Sequence, residues 1–108
     1  MALTWPFKDP DEVLDYDIDW TMRLYSADEL DQAAAGVPVV PADTIVSSTF
    51  TLPPPGSLVA NSSTYTATAT KVWLSGGDLG ESYEILNRIT TMGGRTMDQT
   101  VKLKVKSR

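Results

Sequence analysis

Three aspartates at alternate positions, Asp15, Asp17 and Asp19, are the most conspicuous chemical feature of the chain. On a strand, alternate residues lie about 6.5–7 Å apart on one face. Three carboxylates so placed have the charge to seat a cation. Calcium, however, wants about 6–8 oxygens arranged around a curved loop, and this segment reads as straight. It also lacks the glycine turn and distal glutamate of a calcium loop. Carboxylate pairs also serve glycoside hydrolysis, but that chemistry needs a pocket and one desolvated acid, and a solvent-facing ladder supplies neither. No metal and no cofactor are expected.

A second ladder answers the first. Lys102, Lys104 and Lys106 repeat the same spacing near the C-terminus. If the strands carrying the two ladders lie side by side, each cross-strand charge pair contributes about 0.2–1 kcal/mol. Pairing between neighbouring subunits, or two unrelated solvated faces, are the other arrangements open at this stage. The uneven charge adds weight to a link between the ends. Residues 1–32 hold nine acids and two bases, while residues 77–108 hold four acids and six bases.

Composition excludes much of the remaining chemistry. The 108 residues contain no histidine and no cysteine, which removes imidazole acid–base catalysis, thiol nucleophiles and Ser-His-Asp triads. Serines and threonines are plentiful, yet no base stands ready to activate them. Gly76-Gly77-Asp78-Leu79-Gly80 has the glycines of a phosphate loop without its Lys-Ser/Thr ending. A net charge of -5 argues against nucleic acid as a partner. No stretch approaches the roughly 20 apolar residues of a membrane span. The chain is therefore expected not to be an enzyme.

The elements that must position these groups follow from periodicity. Leu14, Tyr16, Ile18, Trp20, Met22 and Leu24 alternate with polar residues, which predicts one strand over 14–24. Ser26 and Glu29 form a capping box, the following alanines favour helix, and Gly36 ends it. Residues 43–52 read as a strand with Val46, Phe50 and Leu52 on one face, closed by Pro53–Pro55. Residues 57–60 and 64–75 supply further strands. Residues 82–92 and 96–106 form a hairpin about Gly93-Gly94, with Val101, Leu103 and Val105 facing inward.

The expected fold is all-β: an immunoglobulin-like antiparallel β-sandwich of six to seven strands, with one short helix inserted after the first strand. Tyr83, opening the penultimate strand, is the candidate for a corner tyrosine whose hydroxyl folds back on the backbone. Residues 1–12 read as an extended N-terminal arm and 13–108 as a single sandwich domain. Trp20 and Trp73 are assigned to the core. Trp5 and Phe7 either dock on their own domain or anchor a neighbour. Removal of residues 1–10 is expected to leave the sandwich folded but to abolish incorporation into particles.

The blocks Lys8–Trp20, Asp43–Phe50, Val72–Gly77, Tyr83–Thr91 and Gly94–Thr96 resemble a family of small proteins encoded among the structural genes of tailed bacteriophages and prophages. The resemblance implies a virion structural component with an immunoglobulin-like fold and brings no catalytic residues. The expected function is non-catalytic docking on a larger symmetric assembly, as capsid decoration or cement or in the head–tail connector region. A host-surface or glycan-binding module of a tail fibre is the alternative. The expected partners are other virion proteins, in multiple symmetric copies, with neither nucleic acid nor membrane involved. The candidate contact residues are Trp5, Phe7, Asp15, Asp17, Asp19, Leu30, Lys102, Lys104 and Lys106.

Overall fold

The computed structural model describes residues 3–53 and 56–107. Seven strands in these residues form two sheets. The first holds β1 (Leu3–Thr4), β7 (Thr96–Lys104), β6 (Ser82–Thr91) and β3 (Ile45–Thr51), in that spatial order. The second holds β2 (Leu14–Asp19), β5 (Ala69–Ser75) and β4 (Val59–Tyr65). All pairs are antiparallel except β1 with β7, which runs parallel. Two short helices, α1 (Thr21–Leu24) and α2 (Ala27–Ala34), follow β2. The fold is an all-β sandwich.

Alternation builds the core. Tyr16 and Ile18 of β2, Val72 and Leu74 of β5, Ile85 and Ile89 of β6, and Val101 and Leu103 of β7 all point between the sheets. Tyr83 and Val105 close the same layer. The inward faces of the terminal hairpin match the sequence pattern residue for residue.

Four sequence expectations change. The first strand stops at Asp19, not at residue 24. The Asp19 carboxylate accepts from the Thr21 N–H at 2.9 Å and from its hydroxyl at 2.6 Å, which turns the chain into α1. Trp20 and Leu24 are both buried because a four-residue step also fits a helical turn, and Leu24 N–H indeed donates to Trp20 C=O. Met22, by contrast, faces solvent. The insertion thus holds two helices in place of one, with the Ser26–Glu29 capping box present as read.

In β3 a bulge between Ile45 and Ser47 reverses the pleat, so Ile45 is buried and Val46 exposed. Trp73 leaves the core for the same kind of reason. Val72 and Leu74 are fully buried, and strict alternation sends the residue between them outward. It is 39% exposed.

The core also contains a polar cluster. Asn87 on β6 is fully buried. Its Oδ1 accepts from the Trp20 indole N–H at 3.0 Å and from the Thr70 hydroxyl at 2.7 Å. Its Nδ2 donates to Ser48 Oγ at 2.9 Å and Thr49 C=O at 3.0 Å. Among the described residues, no buried side-chain nitrogen or oxygen lacks a partner.

Residues 3–8 lie along β7. Trp5 N–H donates to Lys102 C=O, Lys8 N–H to Lys104 C=O, and Lys106 N–H to Lys8 C=O. The Trp5 ring stacks on Tyr16 at 4.8 Å, and its indole N–H donates to Asp17 C=O. This segment therefore joins the edge of the first sheet to β2 of the second.

Candidate functional site

Among the described residues, no group of three or more potential metal ligands is gathered in one place. The Asp15–Asp17–Asp19 ladder lies on the outer face of the β2–β5–β4 sheet. Register sets Asp15 opposite Trp73 and Asp17 opposite Lys71. The Lys71 ammonium bridges Asp15 at 3.3 Å and Asp17 at 3.8 Å, both pairs open to solvent. Two hydrogen bonds from Thr21, with the hydroxyl bond the larger influence, hold the Asp19 carboxyl below its usual value.

The lysine ladder lies elsewhere. Lys102 and Lys104 point outward from β7, with Lys106 just beyond its end. Within one chain the two ladders do not meet, contrary to the side-by-side arrangement considered above. The neighbours of β7 are the two-residue β1 and β6, while β2 pairs with β5 in the other sheet. Glu84 stands opposite Lys102 on β6. On the same sheet Arg88 makes a two-point contact with Asp98, at 2.8 and 3.0 Å. Hydrogen bonding from that guanidinium lowers the Asp98 carboxyl, and the same contact raises Arg88.

The aromatic pair near the N-terminus divides. Trp5 is buried against its own domain, whereas Phe7 is exposed with the Lys106 ammonium 5.4 Å from its ring centre. Next to Phe7, Lys8 is fully buried, its Nζ donating to Asp9 C=O at 2.8 Å and Gly76 C=O at 2.7 Å. Burial pulls its ammonium below the usual lysine value, and Glu12, Asp9 and Asp11 offset part of that.

At the opposite end sits the β2–β3 insertion. Helix α2 buries none of its residues, and Leu30 is among the exposed ones. A clasp pins the insertion to the β6–β7 turn. Arg95 Nε donates to Asp43 Oδ2 at 2.9 Å, Arg95 Nη2 donates to Leu24 C=O at 3.0 Å, and Gly93 N–H donates to Asp43 Oδ1 at 2.8 Å. Burial opposes ionisation of Asp43. The Gly93 and Thr44 N–H groups, the Thr91 hydroxyl and the Arg95 charge outweigh it and hold the carboxyl below its usual value. Glu29 adds a strut, accepting from Ala42 N–H at 2.9 Å.

An open cleft of about 410 Å³ runs beside the clasp, lined by Ala42, Asp43, Met92, Gly93 and Arg95. Around this end Met22, Val37, Val40 and Met92 are exposed, Val40 at 81% and Met92 at 75%. Sequence reasoning found Leu30 here but missed the clasp and its apolar rim. The signal was faint: an arginine straight after Gly93-Gly94 and an aspartate just before a strand.

The fold and its surface thus define a small all-β sandwich that carries exposed apolar groups and charged rows. The family model described as podophage GP4 fiber-tail adaptor protein gp77 matches residues 8–104, and the chain belongs to that family. It is a bacteriophage virion component, a tail-associated structural protein. No curated protein matches the chain.

Proposed function

We propose that the protein bridges a tail fibre and the tail, holding one partner at each end of the sandwich. The observation that carries this reading is the apolar exposure at both ends of a molecule 45 Å long. The insertion end presents Met22, Leu30, Val37, Val40 and Met92. The other end, built from the β1–β2, β3–β4 and β5–β6 connections, presents Phe7, Val13 and Leu79. Exposed apolar side chains carried on the connections at each end are free to meet a partner there. The family description favours the tail side over capsid cementing. Like any part repeated around a symmetric assembly, the protein needs only modest affinity at each contact.

Immunoglobulin-like connectivity supports the same reading, because it places the loops at two opposite ends. Its support is the sheet pairing, β3–β6–β7 against β2–β5–β4, with β1 parallel beside β7. The Tyr83 hydroxyl also accepts from Asp78 N–H at 2.9 Å, as a corner tyrosine does. Residues 13–108 then form one domain, with 1–12 as an arm whose residues 3–8 lie along β7.

The test is particle assembly with two paired variants. Val40→Asp with Met92→Asp alters the insertion end; Phe7→Ala with Leu79→Asp alters the other. One pair is expected to leave the adaptor on particles that lack fibres, and the other to remove it from particles. Full fibre occupancy with both pairs, measured by mass spectrometry of purified virions, would refute the bridge. The glycan-binding alternative rests on the exposed Trp73. It predicts sugar binding by the isolated protein that disappears in Trp73→Ala.

A further inference from the structure

The two charged ladders are complementary, yet one chain cannot bring them together. We propose that copies of this chain stack face to face, the aspartate row of one against the lysine row of the next. This contact uses the sheet faces and not the two ends assigned to fibre and tail, although Lys106 borders the Phe7 end.

The acidic face is the outer side of the β2–β5–β4 sheet. Its three strands carry Asp15, Asp17 and Asp19, and their single cation is Lys71. One ammonium, shared at 3.3 and 3.8 Å, cannot neutralise three carboxylates. The basic face is the outer side of the β1–β7–β6–β3 sheet. Among the described residues, Lys102, Lys104 and Lys106 make no ion pair. Its carboxylates are Glu84, and Asp98 already held by Arg88.

Both rows repeat every second residue, so both present charges about 6.5–7 Å apart. Three ammonium groups can meet three carboxylates in register. The rows face away from each other across the sandwich, so they can be joined only between copies. Such a contact is heterologous: each copy uses a different face toward each neighbour. A contact of this kind closes into a ring or extends as a filament, and a part repeated around a tail axis suits the ring.

Trp73 gives the contact an apolar centre. It lies directly opposite Asp15 on the acidic face, with Ser62 on its other side. A lysine arriving at Asp15 lays its methylene stem along the indole and its ammonium near the ring. The exposure of Trp73, unexplained by the core, has a use in this arrangement.

The test is charge exchange in the purified full chain, read by analytical ultracentrifugation. The native protein is expected to self-associate at about 0.05 M salt and to become monomeric near 1 M, where screening shortens to about 3 Å. Asp15→Lys with Asp17→Lys should abolish association, as should Lys102→Asp with Lys104→Asp. Mixing the two variants should restore it, because the exchanged faces are again opposite. Circular dichroism melting checks that each variant is folded, as expected for substitutions at exposed positions. A native protein monomeric at both salts, variants that associate like the native chain, or a mixture without rescue would overturn the proposal.

Discussion

The indole N–H of Trp20 donates to Oδ1 of Asn87 at 3.0 Å, across the core from the end of β2 to the middle of β6. One bond between two fully buried side chains thus ties the sheets together near the root of the insertion. A buried polar pair of this kind also fixes which residues face each other, since any slip would leave both groups without partners.

Replacing Asn87 by Leu should therefore destabilise the protein although it adds apolar volume. Trp20 Nε1 keeps only the longer 3.3 Å contact to Thr70, and Thr49 C=O loses a donor. The expected loss is about 1–3 kcal/mol. Urea denaturation measures it, and a cycle with Trp20→Phe isolates the coupling between the two residues.

Trp5→Ala should cost about 3–5 kcal/mol, as large-to-small changes of buried aromatics do. Trp5 is buried, stacked on Tyr16 and bonded to Asp17 C=O. Removing residues 1–10 takes away Trp5, Lys8 and the β1 pairing together, so the truncated chain is expected to melt well below the native one. Thermal melting of the two forms decides this. The prediction replaces the sequence-based expectation that the sandwich folds unharmed without these residues.

The Asp43–Arg95 clasp makes the insertion sensitive to acid. The Asp43 carboxyl lies below its unfolded value, so its contribution is complete above about pH 4, the ordinary aspartate value, and is lost as pH falls through the folded value. Asp43→Asn should lower stability at pH 7 and flatten its fall below about pH 4, compared by denaturant midpoints. Hydrogen exchange in residues 21–41 should quicken in the same variant, because Arg95 then loses its anion and its hold on Leu24 C=O weakens.

Tyr83→Phe should cost about 1–3 kcal/mol, because the hydroxyl both accepts from Asp78 N–H and donates to Asp78 Oδ2 at 3.2 Å. The Asp78 N–H loses its acceptor at 2.9 Å while the ring keeps its place in the core. Chemical denaturation should show a shifted midpoint with an unchanged slope.

Much of this protein is local and therefore legible in the chain. Alternation in Tyr83–Ile89 and Val101–Val105 marks two strands and their inward faces, because a pleat has a fixed period of two. The capping box at Ser26 and Glu29 needs only three residues of separation, and the structure contains it. The absence of histidine and cysteine narrows the chemistry before any fold is known.

Other features depend on neighbours remote in sequence. A bulge at Val46 and a turn at Asp19 each reset the pattern, and neither follows from hydropathy. Alternation puts Asn87 on the inward face of β6, but what satisfies its amide there is decided by Trp20, Thr70 and Ser48, which are remote in the chain. The charged rows show the division most plainly. Their spacing was written in the sequence, since it needs only adjacent residues on one strand. Their placement on opposite faces was decided by the pairing of β2 with β5, because strand neighbours are chosen by the packing of whole sheets and not by the charges they carry.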